Sequence, residues 1–460
     1  MAKEVKAELL VSWHAYEQYA WGHDELKPLS KQPRDWYGQS LLMTPVDSLD
    51  TLILLGCKDE AAKAHALIVD RLSFDKDANV KVFEITIRLL GGLLSGYQLT
   101  GDARLLKLAD DLGTRMLPAF ESPTGMPYMF VNLRTGKTSG VRSNPAEIGT
   151  LILEFGTLAK LTKKPVYYEK AKRALVELYK RRSKLDLVGE EIDVETGAWT
   201  SKASHVGGAI DSYYEYLLKC SLLFGDKDCE SMWRTSIHAL NEHVAEEVKG
   251  GLWYGEVDMD TGAFTRHEFG ALQAFFPSVL ARSGDLPRAR RLEESCYRMW
   301  TFKGIEPETF DYVASEVKDP RYPLRPEIIE SAYYLHYYTH DAQYLRMGKT
   351  FFDALKKNCR TDAGYTTLKS VEATTSPGAQ GTTSSGVQTM TSQGVQTMTS
   401  QGVQTTTSPV AQGMEKADLM PSYFLAESLK YLYLLFAPKA PVDLGKVVFN
   451  TEAHPLRRTW

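Results

Sequence analysis

Apolar residues recur at i, i+3, i+4 and i+7 in stretch after stretch of this chain, the period of helices with a buried face. The stretches are 5–21, 46–56, 82–99, 146–161, 209–224, 270–281, 328–338 and 424–436. Helical segments of more polar character lie between them, at 102–118, 165–182, 227–248, 287–301 and 342–358. Short polar turns lead from an apolar helix to the polar one that follows: Thr100-Gly101-Asp102, Lys163-Lys164-Pro165, Gly225-Asp226-Lys227, Ser283-Gly284-Asp285 and Thr339-His340-Asp341. They return about every 55–65 residues, the spacing of a helical-hairpin repeat. Apolar helices alternating with polar ones predict an inner and an outer ring. About seven such hairpins predict an all-α (α/α)7 toroid closed on itself, with 1–460 as one domain. An open solenoid is the alternative, and it would need polar capping repeats at both ends. One stretch breaks the pattern. Residues 374–413 are rich in Thr, Ser, Gln and Gly, with the near-repeat Gly-Val-Gln-Thr-Met-Thr-Ser-Gln, and read as a mobile insertion without a catalytic role.

Composition changes this picture little. Of the 460 residues 43% are hydrophobic and the formal net charge is −4, so a large core is available and no basic block marks a nucleic-acid surface. No apolar run approaches the ~20 residues of a membrane span. Met1-Ala2-Lys3-Glu4 leads straight into an amphipathic helix, and no signal peptide is expected. The cysteines, Cys57, Cys220, Cys229, Cys296 and Cys359, show no metal spacing, and their odd number argues against a disulfide framework. No Asn-x-Ser/Thr sequon occurs. Abundant Tyr and Trp suit a core and sugar-stacking surfaces alike.

Candidate chemistry rests on carboxylates, because the chain has no phosphate loop, zinc motif or nucleophile elbow. Glu84 sits among apolar residues in Phe83-Glu84-Ile85-Thr86-Ile87, with Arg88 at i+4 on its face. A structural ion pair is the plain reading; a carboxyl in a dry pocket can instead serve as an acid. Asp211 opens 211–219, where an N-cap is the plain reading. Glu327 and Glu330 follow Pro326, which suits the first helical position, and acids in a first turn are favoured by the helix dipole. Asp47, Asp50, Glu147, Glu154 and Glu427 also project from apolar helices. One such acid is unremarkable, but several on the inner ring imply an acidic cavity. Paired carboxylates in a cavity suit glycosidic bonds: one protonates the leaving oxygen and the other activates water.

The segment Phe449-Asn450-Thr451-Glu452-Ala453-His454-Pro455 gathers a hydroxyl, a carboxylate and an imidazole after the extended run Lys446-Val447-Val448-Phe449. A hard cation takes oxygen ligands, and Thr451 can offer carbonyl and hydroxyl. A polar C-terminal turn is the plain reading. In the toroid this segment is expected to plug the cavity from one end, with His454 packing the turn.

The chain resembles the glycoside hydrolase family 47 α-mannosidases, the class I α-1,2-mannosidases. The resemblance is carried by 20–30, 46–56, 83–97, 211–219, 324–331, 424–436 and 449–455, in order and over nearly the whole length. It implies an (α/α)7 barrel, a Ca2+ ion at the barrel base, and hydrolysis of terminal α-1,2-linked mannose with inversion. By motif match, Glu84 and Asp211 correspond to acid-side residues and Glu327 to the general base. Thr451 matches the direct Ca2+ ligand, with Glu147, Glu330, Glu427 and Glu452 holding it through water. Arg88, Arg325, Glu330 and Glu427 match sugar-binding or acid-orienting positions. The implied partner is a mannose-containing oligosaccharide, bound by a single chain.

The chain departs from the family pattern at Ala209, where an Arg is usual, at Pro421, where a Glu is usual, and at Ala271, where a His is usual. Cys296 lacks the family's disulfide partner, its position being Ala274. Lacking that bridge and any sequon, the chain leans toward a bacterial member, for which a periplasmic or secreted location would be expected. These departures motivate a second reading, a mannose-glycan recognition protein with weak or no hydrolysis. A third, a protein-binding solenoid, would need an exposed concave surface in place of an acidic pocket.

Overall fold

The computed structural model describes residues 1–375, 382–383, 403–404 and 411–458. Its helices alternate in chain order between an outer and an inner position. The pairs are α1 (Ala2–Tyr19) with α2 (Met43–Leu54), α3 (Lys58–Arg71) with α4 (82–100), α5 (Ala103–Met116) with α6 (145–162), and α7 (Val166–Lys180) with α8 (Asp211–Phe224). They continue with α9 (Lys227–His243) and α10 (272–283), α11 (Leu286–Lys303) and α12 (Glu327–Thr339), and α13 (Gln343–Asn358) and α14 (424–436). Each inner helix packs on the next inner helix, and α14 packs back on α2 while α1 rests on α14. The ring therefore closes into an (α/α)7 barrel, which removes the open-solenoid alternative.

Burial follows the sequence pattern. In α2 every residue from Met43 to Leu52 is buried, whereas α5 buries only Leu105, Ala109, Leu112, Gly113 and Met116, one stripe of an amphipathic helix. Two elements differ from expectation. The apolar stretch 5–21 belongs to the outer ring as α1, and α3, which the pattern did not single out, is its outer neighbour. Connections are asymmetric. An inner helix passes to an outer one through a tight turn, as where Gly225 ends α8 at φ 67° and the Asp226 carboxylate accepts from Cys229 N–H to cap α9. The return from outer to inner is longer and carries the short antiparallel strands, so these strands gather at the N-terminal ends of the inner helices.

That same tight turn corrects the cysteine reading. Cys220 and Cys229 form a disulfide with their Cα atoms 5.9 Å apart. An odd count does not reveal it, because the pairing comes from the hairpin, which sets the last turn of one helix against the first turn of the next. Cys57, Cys296 and Cys359 are free and buried. The 374–413 stretch lies largely outside the described residues; the strands flanking it, Leu368–Thr375 and Ala411–Lys416, pair antiparallel.

Close helix contact is set by two glycines. A Cβ on Gly92 would lie 2.7 Å from the Val46 carbonyl oxygen, and one on Gly91 would lie 2.7 Å from Asn450 Nδ2 and 2.9 Å from His454 Cδ2. The Gly91-Gly92 pair thus lets α4 touch α2 on one side and the C-terminal turn on the other.

Among the buried polar groups, Glu293 of α11 is fully enclosed and neither of its carboxyl oxygens has a hydrogen-bond partner among the described residues. Burial drives it well above the usual carboxylate range, so it is held neutral at a desolvation cost. Glu293→Met should stabilise the fold by roughly 1–3 kcal/mol, read from urea unfolding; a lower midpoint would show that the carboxyl is satisfied in solution.

Candidate active site

Glu84, Arg88, Glu147, Asp211, Arg325, Glu327, Glu330, Glu427, Thr451 and Glu452 all line one cavity of about 450 Å³ inside the inner ring. The hairpin repeat explains the convergence. Glu84, Glu147, Asp211, Glu327 and Glu330 lie in the opening turns of α4, α6, α8 and α12, and each inner helix begins at the strand-bearing end. Two positions depend on π turns. Thr86–Leu90 in α4 contains Arg88, and Phe424–Ser428 at the start of α14 contains Glu427. A π turn inserts one residue into the helical ladder and is frequent at functional sites.

Asp211 is not the cap expected from its position. Ile210 caps α8, and the Asp211 carboxylate accepts from Ser212 N–H at 2.6 Å and from the Ser212 hydroxyl at 3.1 Å. Burial raises Asp211 to about 6 against those bonds. Pro326 likewise caps α12 rather than occupying its first position. Burial raises Glu327 to about 8, with Arg325 opposing, and its Oε2 has no hydrogen-bond partner among the described residues. Arg325 is itself held by Glu308, Nε to Oε2 at 3.1 Å.

Glu84 forms the expected ion pair with Arg88. Arg88 also reaches Glu452 Oε1 at 3.3 Å and stands against the rings of Trp36 and Tyr423, 5.4 and 5.9 Å from their centroids. Lys81 Nζ lies 2.6 Å from Glu147 Oε1, and burial outweighs that contact to raise Glu147 to about 7. Glu330 accepts from Tyr431 at 3.2 Å and is raised by burial to about 7, with Lys219 opposing. Burial, followed for Glu427 by the neighbouring Glu452, drives both of these carboxyls well above their usual range.

The C-terminal segment forms the floor. Strands Val447–Phe449 and Pro455–Arg457 pair antiparallel, Phe449 opposite Pro455. The intervening turn bends at Ala453, φ 59°, and is held by Asn450, whose Oδ1 accepts from the N–H groups of Glu452 and His454 at 3.0 and 2.8 Å. Asn450 Nδ2 donates to Ile87 O at 2.9 Å and Glu154 Oε1 at 2.8 Å. His454 is fully buried, with Nδ1 2.7 Å from Asp50 Oδ2 and Nε2 3.1 Å from Asp47 Oδ1. Lys430 Nζ lies 2.8 Å from Asp50 Oδ1 and donates to Ala453 O at 2.6 Å. Asp47, Asp50 and Glu154, expected to contribute to the cavity wall, sit beneath it and anchor its floor.

Thr451 is thereby presented to the cavity. Its N–H donates to Tyr216 Oη at 3.3 Å, while its carbonyl and hydroxyl oxygens carry no hydrogen bond among the described residues. Those two oxygens, with carboxylates around them, make an all-oxygen set of the kind that suits a hard cation. The sequence reading missed Lys81, Glu308, Tyr423 and the Glu215–Lys219 ion pair on α8. The last was visible as an i, i+4 pair in an apolar helix; the others meet partners well separated in sequence and leave no local signal.

Comparison with known proteins bears on the family and the fold. The model of glycosyl hydrolase family 47 matches residues 8–387 and 384–458. The chain is 37% identical over 480 residues to α-mannosidase I MNS4 of Arabidopsis thaliana, covering 99% of this chain and 70% of that one. It is 32% identical over 481 residues to mannosyl-oligosaccharide 1,2-α-mannosidase IA of Sus scrofa, covering 98% and 67%. The solved α-1,2-mannosidase from Trichoderma reesei superposes with a TM-score of 0.84 at 26% identity, over 100% of this chain and 99% of that one.

His454 gives the floor its pH dependence. His454 is raised to about 9, burial opposing and Asp50 first among the groups that favour its charge. A group raised on folding stabilises fully below its unfolded value, near 6.5, and loses that contribution as pH rises through about 9; the contribution is roughly 3 kcal/mol. Thermal melts should therefore show the wild type losing stability from pH 6.5 to 9.5. His454→Gln should be less stable by about 3–5 kcal/mol at pH 6, because Asp47 then keeps an unpaired buried charge, and should lose much of that pH slope. Superimposable pH–stability curves for the two proteins would contradict the ion-pair account.

Proposed function

The chain belongs to glycosyl hydrolase family 47, and on that premise we propose that it is a Ca2+-dependent, exo-acting α-1,2-mannosidase that removes terminal α-1,2-linked mannose with inversion. The observation that carries this reading is the single acid-lined cavity whose floor presents the uncommitted oxygens of Thr451.

Glu327 is the general base. Burial alone favours its protonated form; Arg325 beside it and the cation proposed for the floor favour the carboxylate, whose uncommitted Oε2 then takes a proton from the water that attacks the anomeric carbon. Asp211 is the donor. Its raised carboxyl carries the proton that passes to the leaving glycosidic oxygen as the bond to the anomeric carbon breaks. Glu84, tied to Arg88 in an ion pair, is better suited to orient that acid side, directly or through water, than to give up a proton. Arg88 and Arg325 offer guanidinium donors to sugar hydroxyls, and Tyr423 and Phe275 close the cavity wall with aromatic surface.

The donor set fits Ca2+, with Thr451 as direct ligand and Glu147, Glu330, Glu427 and Glu452 holding water around the ion. When bound, the ion would supply coordination for sugar hydroxyls and a positive charge that favours ionised carboxylates.

A second reading, recognition of mannose glycans with weak or no hydrolysis, is favoured by the apolar part of the cavity lining. There Ala209, Leu272 and Phe275 offer little to hold a second sugar by hydrogen bonding. The complete acid set favours hydrolysis, since a binding protein has no use for a positioned base.

Glu327→Gln should lower turnover of an α-1,2-mannobioside by roughly 10²–10⁴-fold while mannose binding persists in calorimetry; full activity would sink the base assignment. NMR during turnover should show β-mannose first, and initial release of α-mannose would refute inversion. EDTA should abolish activity and Ca2+ restore it, and Thr451→Val should weaken Ca2+ binding measured without substrate.

A further inference from the structure

We propose that His205 is a positioning residue for Asp211, acting through the Gly207 turn. This rests on the role proposed for Asp211. His205 follows the short strand Ala203–Ser204 and is 9% exposed. Its Nδ1 lies 3.1 Å from Gly207 N, whose N–H donates to it. The carbonyl of the same Gly207 accepts from Asp211 N–H at 2.8 Å and from Ile210 N–H at 3.0 Å. One residue, through its N–H on one side and its carbonyl on the other, therefore links the imidazole to the first turn of α8, where Asp211 lines the cavity.

The surroundings leave this linkage little slack. A Cβ on Gly207 would lie 2.9 Å from Gln273 Cγ, so the turn is pressed against α10. Ala209 is held at φ 75°, a conformation that a residue with a Cβ rarely adopts. Its carbonyl accepts from Ala146 N–H at 2.9 Å, which ties the turn to α6. Losing the Gly207 bond would release one corner of this frame, and Asp211 is the residue it delivers.

The bond also sets the state of the ring. A backbone N–H facing Nδ1 requires a lone pair there, so the ring is neutral with its proton on Nε2. That nitrogen faces Glu190 Oε1 at 3.7 Å. The charged groups around the ring are Glu190, with Arg266 beyond it, and Asp211. Protonating His205 would set a donor against the Gly207 donor and break the linkage, even though Glu190 would welcome the charge.

Two variants separate this role from packing. In His205→Asn the side-chain oxygen can accept from Gly207 N–H but cannot titrate, and His205→Leu fills the space with no acceptor. The readouts are kcat and KM on α-1,2-mannobiose across pH, and ¹³C NMR titration of Asp211 in Asp-labelled protein, assigned with Asp211→Asn. His205→Leu should lower kcat roughly ten-fold with KM nearly unchanged and should shift the Asp211 titration. His205→Asn should restore both. Unchanged kcat and Asp211 titration in His205→Leu would overturn the proposal, as would an Asn variant as impaired as the Leu variant. If His205→Leu does not fold, His205→Gln, whose longer side chain misplaces the acceptor, replaces it in the comparison. Should the parent protein fail to cleave the mannobiose, the proposed function falls, and the NMR titration alone decides the role of His205.

Discussion

One buried charge cluster carries the site: His454 set between Asp47 and Asp50, with Lys430 completing it. Two carboxylates and two cations balance in a place without water, where any one of them alone would cost several kcal/mol. The cluster joins the first inner helix, the last inner helix and the C-terminal turn. Everything that faces the cavity from below, Thr451 and Glu452 above all, takes its position from this contact. Asn450 refines it by closing the turn on itself and reaching Ile87 and Glu154 in two other inner helices.

Above this floor the electrostatics change character. The floor is neutral by pairing, whereas the cavity holds more carboxyls than cations, several of them raised by burial. Arg88, Arg325 and Lys81 offset part of that excess. An enclosure of this kind favours positive charge, which is the charge that both a metal ion and an oxocarbenium-like transition state bring. The aromatic wall at Trp36 and Tyr423 serves the same balance, because it holds the Arg88 guanidinium on ring faces.

Much of this was legible in the chain. The alternation of apolar and polar helices, with turns such as Gly225-Asp226, contained the ring, because period and cap chemistry are local properties. Residues Glu84, Asp211, Glu327 and Thr451 stood out because acids and a Thr-Glu pair are out of place beside apolar helices, and all four line the cavity. What stayed hidden is non-local. Asp47 and Asp50 read as cavity acids because nothing within a few residues shows that His454, some four hundred positions later, lies between them. Lys81 and Glu308 are ordinary in sequence and acquire meaning from Glu147 and Arg325 across a hairpin. The Cys220–Cys229 bridge is local in sequence, yet counting cysteines gave no access to it; only the antiparallel turn does. The π turns that carry Arg88 and Glu427 leave no compositional trace.

The contacts of α14 with α2 and α1 have a consequence for the order of assembly. A growing chain can stack its early hairpins as they emerge, since each one packs on its predecessor. Its acid-lined cavity, by contrast, has neither closing wall nor base until 424–457 have been made. Until then Asp47 and Asp50 are a pair of acids without their cations, and Gly91 faces an empty groove. Meanwhile the cavity lacks Glu427, Thr451 and Glu452 and stays open from below. The segment 424–457 converts a scaffold into a vessel.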